Sequence, residues 1–172
     1  INNMFDFNVY NEPRILFDNA AGAPGTEHIL NPKDHSKWVT SFLDENDARY
    51  GIGIYGENRT SFTLGDGFKS HGSPADRTVH MAVDFWLRNP EKIYAPLDGV
   101  VQAIASNDDP FDYGTVLILS HQIGEGPEFY TLYGHLAKES VKDLNVGDTI
   151  KAGDHIATLG ELHENGGWTP HL

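Results

Sequence analysis

The stretch Thr78-Val79-His80-Met81-Ala82-Val83-Asp84-Phe85 sets an imidazole and a carboxylate four positions apart among apolar residues. Both groups are good ligands for a divalent zinc ion, and a catalytic zinc site takes three protein groups plus a water. Spacing alone does not bring the two together. On a helix, residues i and i+4 share a face, whereas along a strand they stand roughly 13 Å apart at about 3.3 Å per residue. Val79, Val83, Phe85 and Trp86 favour a strand. Chelation therefore requires the chain to bend between His80 and Asp84, with the flanking apolar residues heading into a core. The competing reading is a histidine at the edge of a core and an exposed aspartate.

Three more histidines end or follow strand-like runs: His121 after Leu119-Ser120, His135 in Leu132-Tyr133-Gly134-His135-Leu136, and His171 in Trp168-Thr169-Pro170-His171-Leu172. Strand ends beside loops are where a sheet protein can converge side chains on one point. Gly134 lets a substrate backbone come close to His135. His121 reads as a packing residue and His155 as surface, while His163 stays open because residues 161–167 form a loop near His171. His28, His35 and His71 lack a second ligand at a recognisable spacing and read as solvated surface histidines.

Other catalytic vocabularies are absent. His163-Glu164 runs into Asn165-Gly166-Gly167, so there is no helical His-Glu-x-x-His zinc motif. No Gly-x-Ser-x-Gly elbow, phosphate-binding loop or dinucleotide fingerprint occurs. Asp108-Asp109 sits in a Pro-bounded loop and reads as solvated rather than as an acid/base pair. With no cysteine there is no disulfide, thiolate ligand or thiol nucleophile.

The elements that must position these groups are mostly strands. Trp38, Val39, Phe42 and Leu43 fall on one side of a helix starting at Pro32, which Gly51 can end after Arg49-Tyr50. Gly51-Ile52-Gly53-Ile54-Tyr55-Gly56 and Ser61-Phe62-Thr63-Leu64 read as short strands about a polar turn. Ile93-Tyr94-Ala95-Pro96-Leu97, the Asp98-Gly99 turn and the run from Val100 to Ala105 predict a hairpin. Val116-Leu117-Ile118-Leu119 and Phe129-Tyr130-Thr131-Leu132-Tyr133 flank Gly124-Glu125-Gly126-Pro127 in the same way, and strands joined so tightly are antiparallel. Ile150 and Ile156-Ala157-Thr158-Leu159 supply the last strands. The fold class is mainly β: one antiparallel sheet curled over or packed on a smaller one, with a single helix near the front.

A chain of 172 residues suits one domain, or one domain with an extension. Its formal charge of -13, with only 12 Lys and Arg, excludes a broad surface for nucleic acid or anionic membrane. No apolar run approaches the length of a membrane span. The start at Ile1 and the stop at Leu172 read as those of a piece cut from something longer.

Taken in order, His-x-x-x-Asp, Tyr-Ala-Pro-Leu-Asp-Gly-Val-Val, the strand ending in His121, Thr-Leu-Tyr-Gly-His-Leu, Val-Gly-Asp-Thr-Ile-Lys-Ala-Gly-Asp and Gly-Gly-Trp-Thr-Pro-His-Leu resemble the lysostaphin and LytM-type zinc endopeptidases. The resemblance covers residues 77–172, leaving residues 1–76 as an N-terminal extension with one helix and short strands. It implies that His80 and Asp84 bind Zn2+, that His135 is a catalytic non-ligand, and that His171 is the catalytic first member of a His-x-His pair. The third zinc ligand is then expected just after Leu172, which would impair this fragment. The implied activity is peptide bond hydrolysis by a metal-activated water, on glycine-rich or peptidoglycan cross-link peptides. The front section and the Glu-Asn-Gly-Gly-Trp-Thr-Pro-His ending look more like the version of this domain fused between a phosphotransferase-like module and a class III aminotransferase. A typical member would lie in the cell envelope, and an aminotransferase fusion in the cytoplasm.

There are two rivals. One is a non-catalytic, LytM-like interaction or regulatory module within a larger fusion protein. The other is a biotinyl or lipoyl-type carrier, suggested by Val146-Gly147-Asp148-Thr149-Ile150-Lys151-Ala152-Gly153-Asp154. A carrier lysine normally sits between methionines, and the only ones here are Met4 and Met81.

Overall fold

The structure, a computed structural model, describes residues 2–20, 22–29, 31–59, 78–107 and 109–172. The chain divides into two compact units. One comprises Pro13–Arg88 with His171, the other Ile1–Glu12, Asn89–Pro170 and Leu172.

The first unit holds a three-stranded sheet in the order β1-β2-β3, with β1 Arg14–Leu16, β2 Tyr50–Gly53 and β3 Asp84–Trp86, together with helix α1, Pro32–Glu45. Asn31 caps α1, its side chain accepting from the Asp34 backbone N–H, and Pro32 sits at the first turn, where a missing N–H costs nothing. His35, Val39 and Leu43 form the buried stripe at four-residue spacing. Val39, Leu43, Phe17, Ala48 and Trp86 make the core, with Ile15, Trp38 and Phe42 against it. The helix stops short of the expected end at Tyr50. Asp47 takes a left-handed φ of 47°, the Ala48 N–H returns to the Leu43 carbonyl at 2.9 Å, and Tyr50 already begins β2. β1 and β2 pair parallel because α1 lies in the crossover between them, while β2 and β3 are antiparallel.

The second unit carries a four-stranded antiparallel sheet in the order β7-β6-β5-β8, and a two-stranded one, β4-β9. The strands are β4 Lys92–Tyr94, β5 Gly99–Asn107, β6 Gly114–Gln122, β7 Glu128–Leu136, β8 Thr149–Ile150 and β9 His155–Thr158. The apolar run of β6 suits it to an inner position between β7 and β5, buried along nearly its whole length. β6 and β7 form the expected hairpin. Register shifts between Val101 and Ala103, and between Thr115 and Leu117, add the local bend and twist of bulges.

The other expected hairpin does not form: β4 pairs with β9, and β5 with β6 and β8. Residues 95–98 are committed instead to the turn between β8 and β9. The Ala95 N–H donates to the Asp154 carbonyl at 2.9 Å, and the Asp98 carboxylate accepts from the Ala152 N–H at 2.8 Å and from Lys151 at 3.0 Å. Pro96 has no N–H to offer a ladder. The mainly β class stands as expected. No helix of the described residues is long and apolar enough to cross a membrane. Ser61 to Leu64 and His71 lie outside the described residues.

Candidate metal centre

His80 and Asp84 belong to the first unit. An isolated bridge between Val79 and Asn58 holds the chain before His80, the backbone bends at Ala82, and β3 begins at Asp84. Reciprocal backbone bonds, His80 N–H to the Glu57 carbonyl at 2.9 Å and Gly56 N–H to the His80 carbonyl at 2.7 Å, fix the histidine from the facing turn. The bend required for chelation is thus present, and His80 Nε2 stands 3.2 Å from Asp84 Oδ1.

Burial is inverted relative to expectation. Val79, Met81 and Val83 are 54%, 66% and 44% exposed, whereas His80 and Asp84 are buried. Apolar side chains on this segment face outward because the two polar groups take the inner positions.

The two side chains present a donor set that a cation could use. His80 Nδ1 lies 3.3 Å from the Ile54 carbonyl, an acceptor only, while Nε2 faces the Asp84 carboxylate. A neutral imidazole has one N–H for these two oxygens, so one contact needs a second proton or a metal ion. Two ligand atoms each 2.0–2.1 Å from a tetrahedral zinc lie about 3.3 Å apart, close to the spacing found here. The pair therefore fits zinc. No group of three His, Asp or Glu side chains able to hold a metal occurs among the described residues.

Asp84 is kept ionised. Burial pushes its carboxyl up, but the His80 hydrogen bond and the charges of His171, Arg59 and His80 outweigh that and hold it well below the usual carboxylate range. Arg59 Nη2 donates to Oδ2 at 2.6 Å, and its Nε donates to Glu57 at 3.0 Å. Neither Glu57 nor Arg59 stands out in the sequence, because the partner carboxylate lies 25 positions away.

His171 is buried in the same unit. Its backbone bridges antiparallel to Trp86, and its ring stacks on the indole at 4.1 Å between centroids and 13° between planes. The strand that carries Asp84 thus also fixes His171.

His135 lies on β7 in the other unit. It is a non-glycine residue at φ 60°, a left-handed conformation that persists only where the surroundings impose it. Its N–H bonds to the Tyr113 carbonyl and its carbonyl accepts from the Gly160 N–H, both at 2.8 Å. Nδ1 donates to the Asn165 carbonyl at 2.9 Å, which in the neutral ring puts the lone pair on Nε2, as a general base requires.

Asn165 is the residue that sequence reading missed. Fully buried, it donates through Nδ2 to the Gly160 and Trp168 carbonyls and accepts through Oδ1 from the Gly167 and Trp168 N–H groups. It folds the last loop and orients His135. The available signal was Asn-Gly-Gly, a strong turn sequence beside a histidine-bearing terminus.

The remaining histidines divide between core and surface. His35, expected on the surface, is buried on the Val39 and Leu43 face of α1, with its ring against Trp38 and Trp86. His121 packs, stacking on Phe129 and bonding the Asp98 carbonyl and Thr131 hydroxyl, each at 2.8 Å. His155 and His163 are exposed.

The model of Peptidase family M23 matches residues 78–172. A protein of Haemophilus influenzae named "Uncharacterized metalloprotease" is 36% identical over 93 residues, which is 54% of this chain but 17% of that protein's length. No solved structure matches. With the matched region covering more than half of its length, and His80 and Asp84 poised inside it, the chain belongs to peptidase family M23.

Proposed function

We propose that the domain is a zinc-dependent endopeptidase, with His80 and Asp84 as two of three protein ligands. The observation that carries this reading is the juxtaposition of two ligand-type atoms, His80 Nε2 and Asp84 Oδ1, at 3.2 Å in a buried place. The third ligand is assigned to the position following Leu172. Counted on from the Trp86–His171 bridge, antiparallel register pairs that position with Asp84, so a histidine there would stand across from the carboxylate.

Bound zinc supplies a water of lowered pKa, about 7, and polarises a carbonyl. The protein's own groups handle the protons. His135, its tautomer set by Asn165, is suited to accept a proton at Nε2 and return it to the leaving amine. His171, held by Trp86, is assigned to the developing oxyanion. The substrate class, by resemblance, is glycine-rich or peptidoglycan cross-link peptide.

The test uses the full-length protein. About one zinc per chain is expected by elemental analysis, with loss of that zinc in His80→Ala; equal metal in both rules out the ligand set. His135→Ala should keep the metal and lower kcat on pentaglycine or cross-link peptides by roughly 10²- to 10⁴-fold. Zinc uptake with no hydrolysis of either peptide by the unaltered protein would instead favour the interaction-module reading.

A further inference from the structure

We infer that Arg59 is a positioning residue that restricts Asp84 to one-oxygen metal ligation, acting as a charge-neutral clamp together with Glu57. The inference rests on the reading of Asp84 as a metal ligand.

A free carboxylate offers both oxygens to a cation and can chelate with either or both. Here they are divided. Oδ2 is taken by Arg59 Nη2 at 2.6 Å, and Oδ1 alone faces His80 Nε2 at 3.2 Å. The guanidinium is itself held, because Nε donates to Glu57 Oε2 at 3.0 Å and Glu57 Oε1 accepts from the Asn19 backbone N–H. Arginine suits this task because its planar fork presents donors in fixed directions, so an anchored Nε aims Nη2. Both members of the pair are buried, with side-chain exposures of 6% for Arg59 and 8% for Glu57.

A lone buried arginine would add a positive charge beside a site meant for a cation. Glu57 cancels it, leaving orientation as the net contribution of the pair. The backbone is cut to make room: a Cβ on Gly53 would stand 2.7 Å from Arg59 Nη2, and Gly53 pairs with Asp84 in the β2–β3 ladder. The glycine thus lets the guanidinium lie directly over the strand pair that carries the ligand. A residue bonded to a ligand's second atom characteristically sets the ligand's orientation and the metal affinity.

The test compares the full-length protein with the double variant Glu57→Gln/Arg59→Met, which removes the clamp at constant net charge, and with Gly53→Ala, which crowds the guanidinium and changes no charge. Each is loaded with Co2+ for its visible absorption, titrated with Zn2+ against a chelator, and checked for fold by circular dichroism. The unaltered protein should give the intense bands of four-coordinate cobalt. Both variants should give weaker, five-coordinate bands as Asp84 becomes bidentate, with zinc affinity lowered about 10- to 100-fold. Folded variants with unchanged bands and affinity would overturn the clamp while leaving the zinc reading intact. An unaltered protein that takes up neither metal would overturn both.

Discussion

At the scale of single residues, His135 shows a backbone conformation imposed by its surroundings. A left-handed histidine inside a strand costs about 1–2 kcal/mol relative to glycine in the same conformation. The cost persists because Tyr113 and Gly160 hold its backbone and the Asn165 carbonyl holds its ring. Two substitutions separate conformation from chemistry. His135→Gly should be more stable to urea than His135→Ala by about 1 kcal/mol, although both remove the imidazole. Peptide hydrolysis should fall equally in the two, and an alanine variant as stable as the glycine one would show that φ at this position is not imposed.

At the scale of elements, the last loop is shaped by close backbone approach. Gly166 has φ 85°, and a Cβ there would come within 2.2 Å of the Asp112 carbonyl oxygen, which belongs to backbone and cannot swing away. Gly124 also has a positive φ, of 58°, but open space around its missing side chain. Gly124→Ala should therefore cost about 1 kcal/mol from φ alone. Gly166→Ala should cost more, on the order of 2–4 kcal/mol by denaturant titration, because overlap adds to φ strain. It should also lower kcat, since Asn165 next to it orients His135. Equal costs at the two glycines would refute the packing argument.

At the scale of the whole molecule, two buried groups give stability a common dependence on pH. Burial, aided by the charge of His28, lowers His35 from 6.5 to about 4. The unfolded chain binds this proton between pH 6.5 and 4 and the folded chain does not, so this contribution is complete above pH 6.5 and is lost as pH falls to about 4. A difference of that size between the folded and unfolded chain corresponds to about 3 kcal/mol. Asp84 is also depressed, so its contribution has the same sign and is lost further into acid. Urea midpoints should fall steeply from pH 6.5 to 4, and His35→Phe should flatten that slope while leaving the more acidic limb. A slope unchanged by His35→Phe would place the acid sensitivity elsewhere.

The sequence by itself determined the features that depend on local pattern and on residue chemistry. The β6–β7 hairpin was legible from two apolar runs about a Gly-Pro turn, the start of α1 from the change of pattern at Pro32, and the candidate metal pair from His80 and Asp84 set among strand formers. Tertiary structure alone decided the features that depend on partners distant along the chain. It sent β4 to β9 instead of β5, turned Val79, Met81 and Val83 outward, and buried His35 under Trp86. It also recruited Arg59 to Asp84 and Asn165 to His135. Periodicity says which residues share a face, but which face is covered, and which buried polar atom finds its one acceptor, is set by the packing of segments that sequence order leaves far apart.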